Sequence, residues 1–433
     1  MHHRETKVAI AFKVQCSFQR RGNACVTVIV DENTVFVYFI NKDYVRLMAM
    51  EHKILRIGFI GAGGIHFGKS GSKLPWAHAT RLEKIGNIKV VAIVDTDIKL
   101  AEDVLKAKLS ADQVKNFYTG CQIFSHFKEL IDLKPDAVFI GIPPLYRGSL
   151  KYGVDIELQF VKAGIHVFVE KSPSVVPPEE FDNYVEEVRK ASTKNNIVVS
   201  VGYMFRYHAG IDKMKELIID HGGKVMACRA KFSLAYSRGH KGRDSYNNQI
   251  TGGPIVEQAT HVCDLARYLA GDINLDSVQT IILKDSDPSG AGRLSNLPHD
   301  GENNIKPGDK VPRVTFSQWR FVDGGIGTLM HSIALPGSRH EISIEVQMDG
   351  LQLSLFKPVE EDSSLVVRSI KADDPNRDIN YTFSEQDSFL NELSAFINAV
   401  RTGDQTGIRS SYEDAAKTYE FTWKIRRTGE ANS

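Results

Sequence analysis

The stretch from Ile54 to Gly64, ILRIGFIGAGG, constrains this chain more than any other. Its β-branched positions Ile54, Ile57 and Ile60 mark a buried strand, and the run breaks into Gly61-Ala62-Gly63-Gly64. A buried strand that enters a glycine turn before a helix is the opening unit of a doubly wound parallel sheet, whose turn receives a dinucleotide pyrophosphate. Gly61 permits the tight turn and Gly63 lets backbone approach phosphate. Gly64 and Ile65 begin the helix, whose first N–H groups face the anion. Close helix–strand packing asks for a small residue at position 66, and the chain has His66 there. The polar insert Gly68-Lys69-Ser70-Gly71-Ser72-Lys73 is expected to displace the helix start and relax that demand.

A second strand, KVVAIVD (Lys89 to Asp95), ends in an acid suited to the adenosine ribose hydroxyls. Asp95 favours NAD over NADP, although Lys69 or Lys73 could reach a 2′-phosphate. Strand and helix then alternate. The pattern predicts helices at Ile98–Leu109, Phe127–Leu133, Val154–Ala163 and Glu179–Lys190, and strands at Asp136–Pro144, His166–Lys171 and Ile197–Phe205. Such βαβα order means a doubly wound parallel sheet, and open α/β sheets bind ligands at the carboxyl ends of their strands. Gly61, Gly63, Asp95, Pro143, Pro144, Glu170, Lys171, Tyr203 and Arg206 all fall at such ends.

The second half changes period. Helices are predicted at Ile211–Ile219 and Ile255–Leu269. Alternating runs occupy Val225–Phe232, Ser277–Leu283, Arg313–Phe321, Ile326–Ile333, Glu341–Met348 and Leu351–Phe356, with turns at Asp323-Gly324-Gly325 and Asp349-Gly350. This is an α+β domain on a large, mostly antiparallel open sheet. Lys284–Pro312 reads as a mobile loop, and helices at Gln386–Arg401 and Tyr412–Arg427 close the chain. The expected domains are a dinucleotide-binding unit at 51–202, the α+β unit at 203–383 and the terminal helices at 384–433.

Residues 1–50 fit this scheme poorly. Two β-rich runs, Ala24–Val30 and Thr34–Ile40, suggest a hairpin about Asp31-Glu32-Asn33. The segment lacks the long apolar region of a signal peptide, and Glu5, Asp31 and Glu32 argue against a mitochondrial presequence. The functional protein is expected to begin near Met48 or Met50.

With 54 basic and 53 acidic residues the net charge is +1, so no global field recruits nucleic acid or an anionic membrane. The five cysteines are scattered without a C-x-x-C pair, which fits a reducing compartment and no metal site. No apolar run approaches the ~20 residues of a membrane span. A cytoplasmic protein is expected.

Two places carry candidate chemistry. Lys171 ends a buried strand beside Glu170; an isolated lysine there is often only a surface ion pair, but at a ligand cleft its ammonium could steady a substrate oxygen. In GGPIVEQATHVCDLARYL (Gly252 to Leu269), Pro254 suits a first helical turn, and Glu257 and His261 share a face opposite Ala259, Val262, Ala266 and Leu269. A histidine beside a carboxylate near neutral pH is suited to general acid/base work on an alcohol. The alternative, Glu257-x-x-x-His261-x-x-Asp264 as metal ligands, lacks a third convergent ligand.

From about Ile54 to Arg427 the chain resembles the glucose–fructose oxidoreductase / inositol dehydrogenase / MocA family, through IGFIGAGG, AGIHVFVEK, VGYMFRY, GGPIVEQATH with Asp264, and YEDAAKTYEFTW. The resemblance implies an N-terminal Rossmann domain, a C-terminal open sheet used to form a homo-oligomer, and NAD(P)-dependent oxidation or reduction of a sugar, polyol or related compound. It implies a catalytic lysine at Lys171, and an acid–histidine pair at Glu257 and His261 in which the acid holds substrate and the histidine exchanges its proton. Three positions depart from the family pattern: Ser172 stands between the lysine and Pro173, Glu257 replaces the usual aspartate, and His66 replaces a small residue.

The expected activity is hydride transfer between nicotinamide and a sugar, polyol, inositol or dihydrodiol, with Tyr203, Arg206 and Tyr207 lining the sugar side of the cleft. The alternative is a catalytically silent dinucleotide and sugar sensor of the same fold acting through a protein partner. Retention of Lys171 and His261 weighs for the enzyme.

Overall fold

The computed structural model describes residues 24–31, 34–41, 53–68, 77–235, 246–290, 305–336, 340–360, 362–384 and 386–432. The chain divides into two compact units, Met1–Lys53 and Ile54–Ser433. In the first, β1 (Ala24–Asp31) and β2 (Thr34–Asn41) pair antiparallel with Ala24 opposite Asn41, the hairpin expected from the sequence.

The second unit opens with a six-stranded sheet of β3 (Leu55–Ile60), β4 (Ile88–Val94), β5 (Gln122–Phe124), β6 (Ala137–Ile140), β7 (His166–Glu170) and β8 (Val199–Gly202). All pairs are parallel and the order is β5-β4-β3-β6-β7-β8, the doubly wound arrangement whose direction reverses between β3 and β6. Apolar runs serve both faces because both are covered. On one face Ile57, Phe59, Phe139 and Phe168 pack against Leu393, Phe396 and Ile397 of the helix Ser388–Thr402. On the other, Val138, Ile140, Val167 and Val169 share a core with Phe160, Phe181 and Tyr184, and with Tyr412 and Tyr419 of the last helix, Tyr412–Ala431. The two terminal helices are thus built into the parallel sheet's core instead of standing apart from it.

The remaining strands are β9 (Ala227–Ser233), β10 (Ile273–Leu283), β11 (Val314–Phe321), β12 (Ile326–Ser332), β13 (Glu341–Met348), β14 (Leu351–Phe356), β15 (Ser363–Ser369) and β16 (Ile379–Phe383). They form one eight-stranded sheet in the order β10-β11-β12-β9-β13-β14-β15-β16, antiparallel except between β9 and β12. Period-two alternation buries one face: Thr315, Ser317, Trp319 and Phe321 of β11 point inward while Phe316, Gln318 and Arg320 point out. The inward face packs on helices Ala209–His221 and Thr260–Ala270 through Ile211, Met214, Val262 and Leu265. Strands β15 and β16 were not apparent from the sequence. The tip of the expected loop, 291–304, lies outside the described residues.

A buried charge cluster joins the two sheets. Arg206, just past β8, forks onto Asp264 at 2.7 and 2.5 Å and reaches Asp414 at 2.5 Å. It also donates to the Arg409 carbonyl. Removing one member of such a pair strands the other charge in the interior. Asp264→Ala should therefore cost about 3–5 kcal/mol of stability in a urea titration; a loss below about 1 kcal/mol, the scale of a surface pair, would show that the cluster is not structural.

Burial also sets the acid response. It holds His66 and His331 down to about 3 and His208 to about 4, with neighbouring His78 adding to the effect on His66. Each stays neutral when folded and charges at about 6.5 when unfolded, so its stabilisation is complete above that pH and declines below it by about 1.4 kcal/mol per pH unit. Glu392 opposes them: burial raises its carboxyl well above the carboxylate range, so it favours the folded state at low pH and loses that contribution as pH rises. Between pH 6.5 and 5 the three histidines outnumber it, and stability should fall on acidification. In denaturant titrations His331→Gln should flatten this fall by about one proton and Glu392→Gln should steepen it; unchanged slopes would contradict the burial argument.

Candidate active site

Gly61 leaves β3 at φ 101°, a conformation open to glycine, and donates to the Val94 carbonyl at 2.7 Å. A Cβ on Gly63 would meet nothing within 4 Å, so backbone there faces open space that a phosphate can approach. The turn leads into a single helical turn, Gly64–Phe67, not a long helix; the next described helix is His78–Ile85. The N–H groups of Gly64 and Ile65 therefore come without an extended helix dipole behind them. Lys69 and Lys73 lie outside the described residues.

His66 is accommodated by a means the sequence reading did not anticipate. Its fully buried ring packs 5.0 Å from Phe59 and 5.4 Å from His78, and Nδ1 donates to the Gly61 carbonyl at 2.7 Å. The space comes from Gly141 at the end of β6, where a Cβ would lie 2.6 Å from the imidazole. A missing side chain on the neighbouring strand admits the large one in the turn. Held neutral, His66 adds no charge beneath the phosphate position.

Asp95 buckles the turn to β4. Its Oδ2 accepts from Ala62 N at 2.6 Å and its Oδ1 from Asp97 N at 2.9 Å. Each carboxylate oxygen retains a second lone pair that a ribose hydroxyl can use. Pro143 and Pro144 follow β6 and open a 3₁₀ turn, Pro144–Tyr146. The open backbone at Gly63, the paired strand ends and the acid at Asp95 fit a dinucleotide.

Lys171 and Glu257 are brought together. Lys171 Nζ donates to the Glu257 carbonyl at 2.7 Å and lies 3.4 Å from Glu257 Oε1, in a partly exposed setting. The peptide between Lys171 and Ser172 is cis. Glu257 belongs to a π turn, Ile255–Ala259, that runs into the α-helix Thr260–Ala270. Glu257 and His261 sit on successive turns, and π turns recur at functional sites. The His261 ring stands 5.1 Å from Phe205 and 6.2 Å from Tyr203. Glu170 is buried with Oε1 3.0 Å from His78 Nε2. Burial opposes its charge, but His78, Lys171 and His261 outweigh that and hold its carboxyl below the ordinary range.

The three expected substrate residues are buried and bonded to other parts of the chain. Tyr203 is buried with its hydroxyl 2.9 Å from Thr260 Oγ1. Arg206 is committed to Asp264 and Asp414, and the Tyr207 hydroxyl accepts from Arg409 N at 2.8 Å. They cluster at the joint between the sheets because burial there is satisfied by partners far along the chain. Asp264 turns away from Glu257 and His261 into the same cluster, so the three do not converge on a metal. Residues not singled out from sequence include His78 and Gln258, whose Oε1 lies 3.0 Å from His331 Nε2.

Comparison with known proteins places the fold. Residues 55–203 match the oxidoreductase family with an NAD-binding Rossmann fold, and residues 206–351 match an oxidoreductase C-terminal domain. A Schizosaccharomyces pombe protein of uncharacterised activity is 34% identical over 381 residues, covering 86% of this chain and 90% of its own. Myo-inositol 2-dehydrogenase of Thermotoga maritima is 24% identical over 367 residues, 82% of this chain and 90% of that enzyme. Among solved structures, levoglucosan dehydrogenase with NADH and levoglucosan shares the fold at TM-score 0.66 and 18% identity, over 88% of this chain and 98% of its own. By these matches the chain belongs to the glucose–fructose oxidoreductase / inositol dehydrogenase / MocA family of oxidoreductases.

Proposed function

We propose that this protein is an NAD(P)-dependent dehydrogenase or reductase acting on a CH–OH group of a sugar, polyol, inositol or dihydrodiol-like compound. The observation that carries the reading is the contact of Lys171 with Glu257, 2.7 Å to its carbonyl, which joins the end of β7 to the turn that precedes His261. Relatives named for inositol and levoglucosan oxidation support the substrate class.

Gly61, Gly63, Gly64 and Ile65 would cradle the pyrophosphate, Asp95 the adenosine ribose, and Pro143, Pro144 and Glu170 the nicotinamide end. Bound nicotinamide supplies the acceptor for a hydride from the carbinol carbon. In the oxidising direction His261 takes the hydroxyl proton as the carbon–oxygen bond becomes a carbonyl. Lys171 donates a hydrogen bond to that oxygen and stabilises the charge developing on it, which counts most in a site with little water. Glu257 orients both the ammonium and a substrate hydroxyl. Glu170, kept ionised beside Lys171, preserves the local charge balance.

The full-length protein should reduce NAD or NADP when offered a panel of aldoses, inositols and dihydrodiols, followed by nicotinamide absorbance. Lys171→Ala should leave dinucleotide affinity within a few-fold and lower kcat by about 10²–10⁴, the range for loss of a group acting on the transition state. Near-normal turnover in that variant would remove Lys171 from the mechanism. Dinucleotide binding with no turnover in either direction would favour the sensor.

A further inference from the structure

Arg147 is none of the proposed reacting groups, yet it is heavily engaged beside them. It follows the 3₁₀ turn after β6, and its guanidinium is fully buried. Nε donates to the Ile142 carbonyl at 3.2 Å. Nη2 donates to the carbonyls of Glu170 at 2.5 Å and Ser172 at 2.9 Å, and Nη1 to the carbonyl of Pro173 at 3.0 Å. The residue before Lys171 and the two after it thus turn their carbonyls onto one planar group. Lys171 itself reaches away from them to Glu257.

The fork is anchored from behind. Glu157, also fully buried, lies 3.3 Å from Nη1 and accepts from Tyr184 Oη at 2.9 Å and Gly148 N at 3.3 Å. Gly148 presses against the same loop: a Cβ there would lie 2.2 Å from the Pro173 carbonyl. Ser172 Oγ donates to the Val256 carbonyl, tying the loop to the π turn that carries Glu257. Several carbonyls spread along a loop can be held at once by the rigid five-donor fork of arginine, whereas a lysine has its three donors on a single nitrogen.

We propose that Arg147 is the positioning residue for Lys171, fixing the path of Glu170–Pro173 so that the ammonium meets the substrate oxygen. This rests on the assignment of Lys171 as catalytic. In the full-length protein, Arg147→Lys keeps a cation beside Glu157 but loses the fork. Trace acylation with acetic anhydride, read by mass spectrometry against the exposed lysines, should show Lys171 modified severalfold faster in the folded variant. On a substrate the wild type accepts, kcat should fall about 100-fold, the scale of a misplacement near 1 Å, with dinucleotide affinity little changed. In a Lys171→Ala background the same change should cost no further turnover.

A purely structural role would lower the melting temperature and leave relative Lys171 labelling unchanged, and that result would overturn the proposal. Were Arg147→Lys not to fold, Gly148→Ala displaces the Pro173 carbonyl with all charges intact and should raise Lys171 labelling in the same way; unchanged labelling there would equally overturn it. If Lys171→Ala kept full turnover, the catalytic assignment would fall while the labelling still reported whether Arg147 holds the loop.

Discussion

Arg206 is the joint on which the site depends. It leaves the last strand of the parallel sheet and is held by Asp264 of the helix that carries His261, by Asp414 of the terminal helix and by the Arg409 carbonyl. Lys171 comes from the parallel sheet, whereas Glu257 and His261 come from the segment lying on the other sheet. Their meeting requires that the two not slide, and apolar packing alone is tolerant of small slides. A buried guanidinium with fixed acceptors is not, because displacement leaves charge unpaired at low dielectric.

This explains what was legible in the sequence. The glycine turn, the strand ends and the β-to-α rhythm are local patterns, and their placement at one edge follows from topology once the sheet is known to be doubly wound. The location of Arg206, Tyr203 and Tyr207 at a strand end is local information, whereas their burial depends on Asp264, Thr260 and Arg409, between 57 and 203 positions away. Arg147 was invisible for the same reason: its acceptors are mostly backbone carbonyls, which carry no side-chain signature. The sequences of β15 and β16, SSLVVRS and INYTF, carry too little apolar–polar alternation to mark a strand, although β15 alternates in burial.

The departures from the family pattern are absorbed by neighbours. His66 occupies room left by Gly141 and turns a ring nitrogen to the Gly61 carbonyl. Ser172, where proline would follow the lysine directly, donates to the Val256 carbonyl and so links the lysine loop to the turn bearing Glu257. Each unusual residue is matched by a second one that makes space or a bond for it, which a single position read in isolation does not disclose.

The longer side chain of Glu257 is best understood with the π turn that carries it. A π turn widens the helix by closing its hydrogen bonds over five residues, and here Lys171 binds the backbone carbonyl of Glu257 more closely than its carboxylate, 2.7 against 3.4 Å. The ammonium is therefore met more closely by backbone, which cannot rotate away, than by the carboxylate at the end of its extra methylene. An aspartate in the same turn would hold its carboxylate about one methylene further back and leave the carbonyl that meets Lys171 in place. On the proposed assignment of Lys171, the Glu257 carbonyl fixes the ammonium directly and Arg147 fixes the loop it stands on, so the two hold one group from opposite ends.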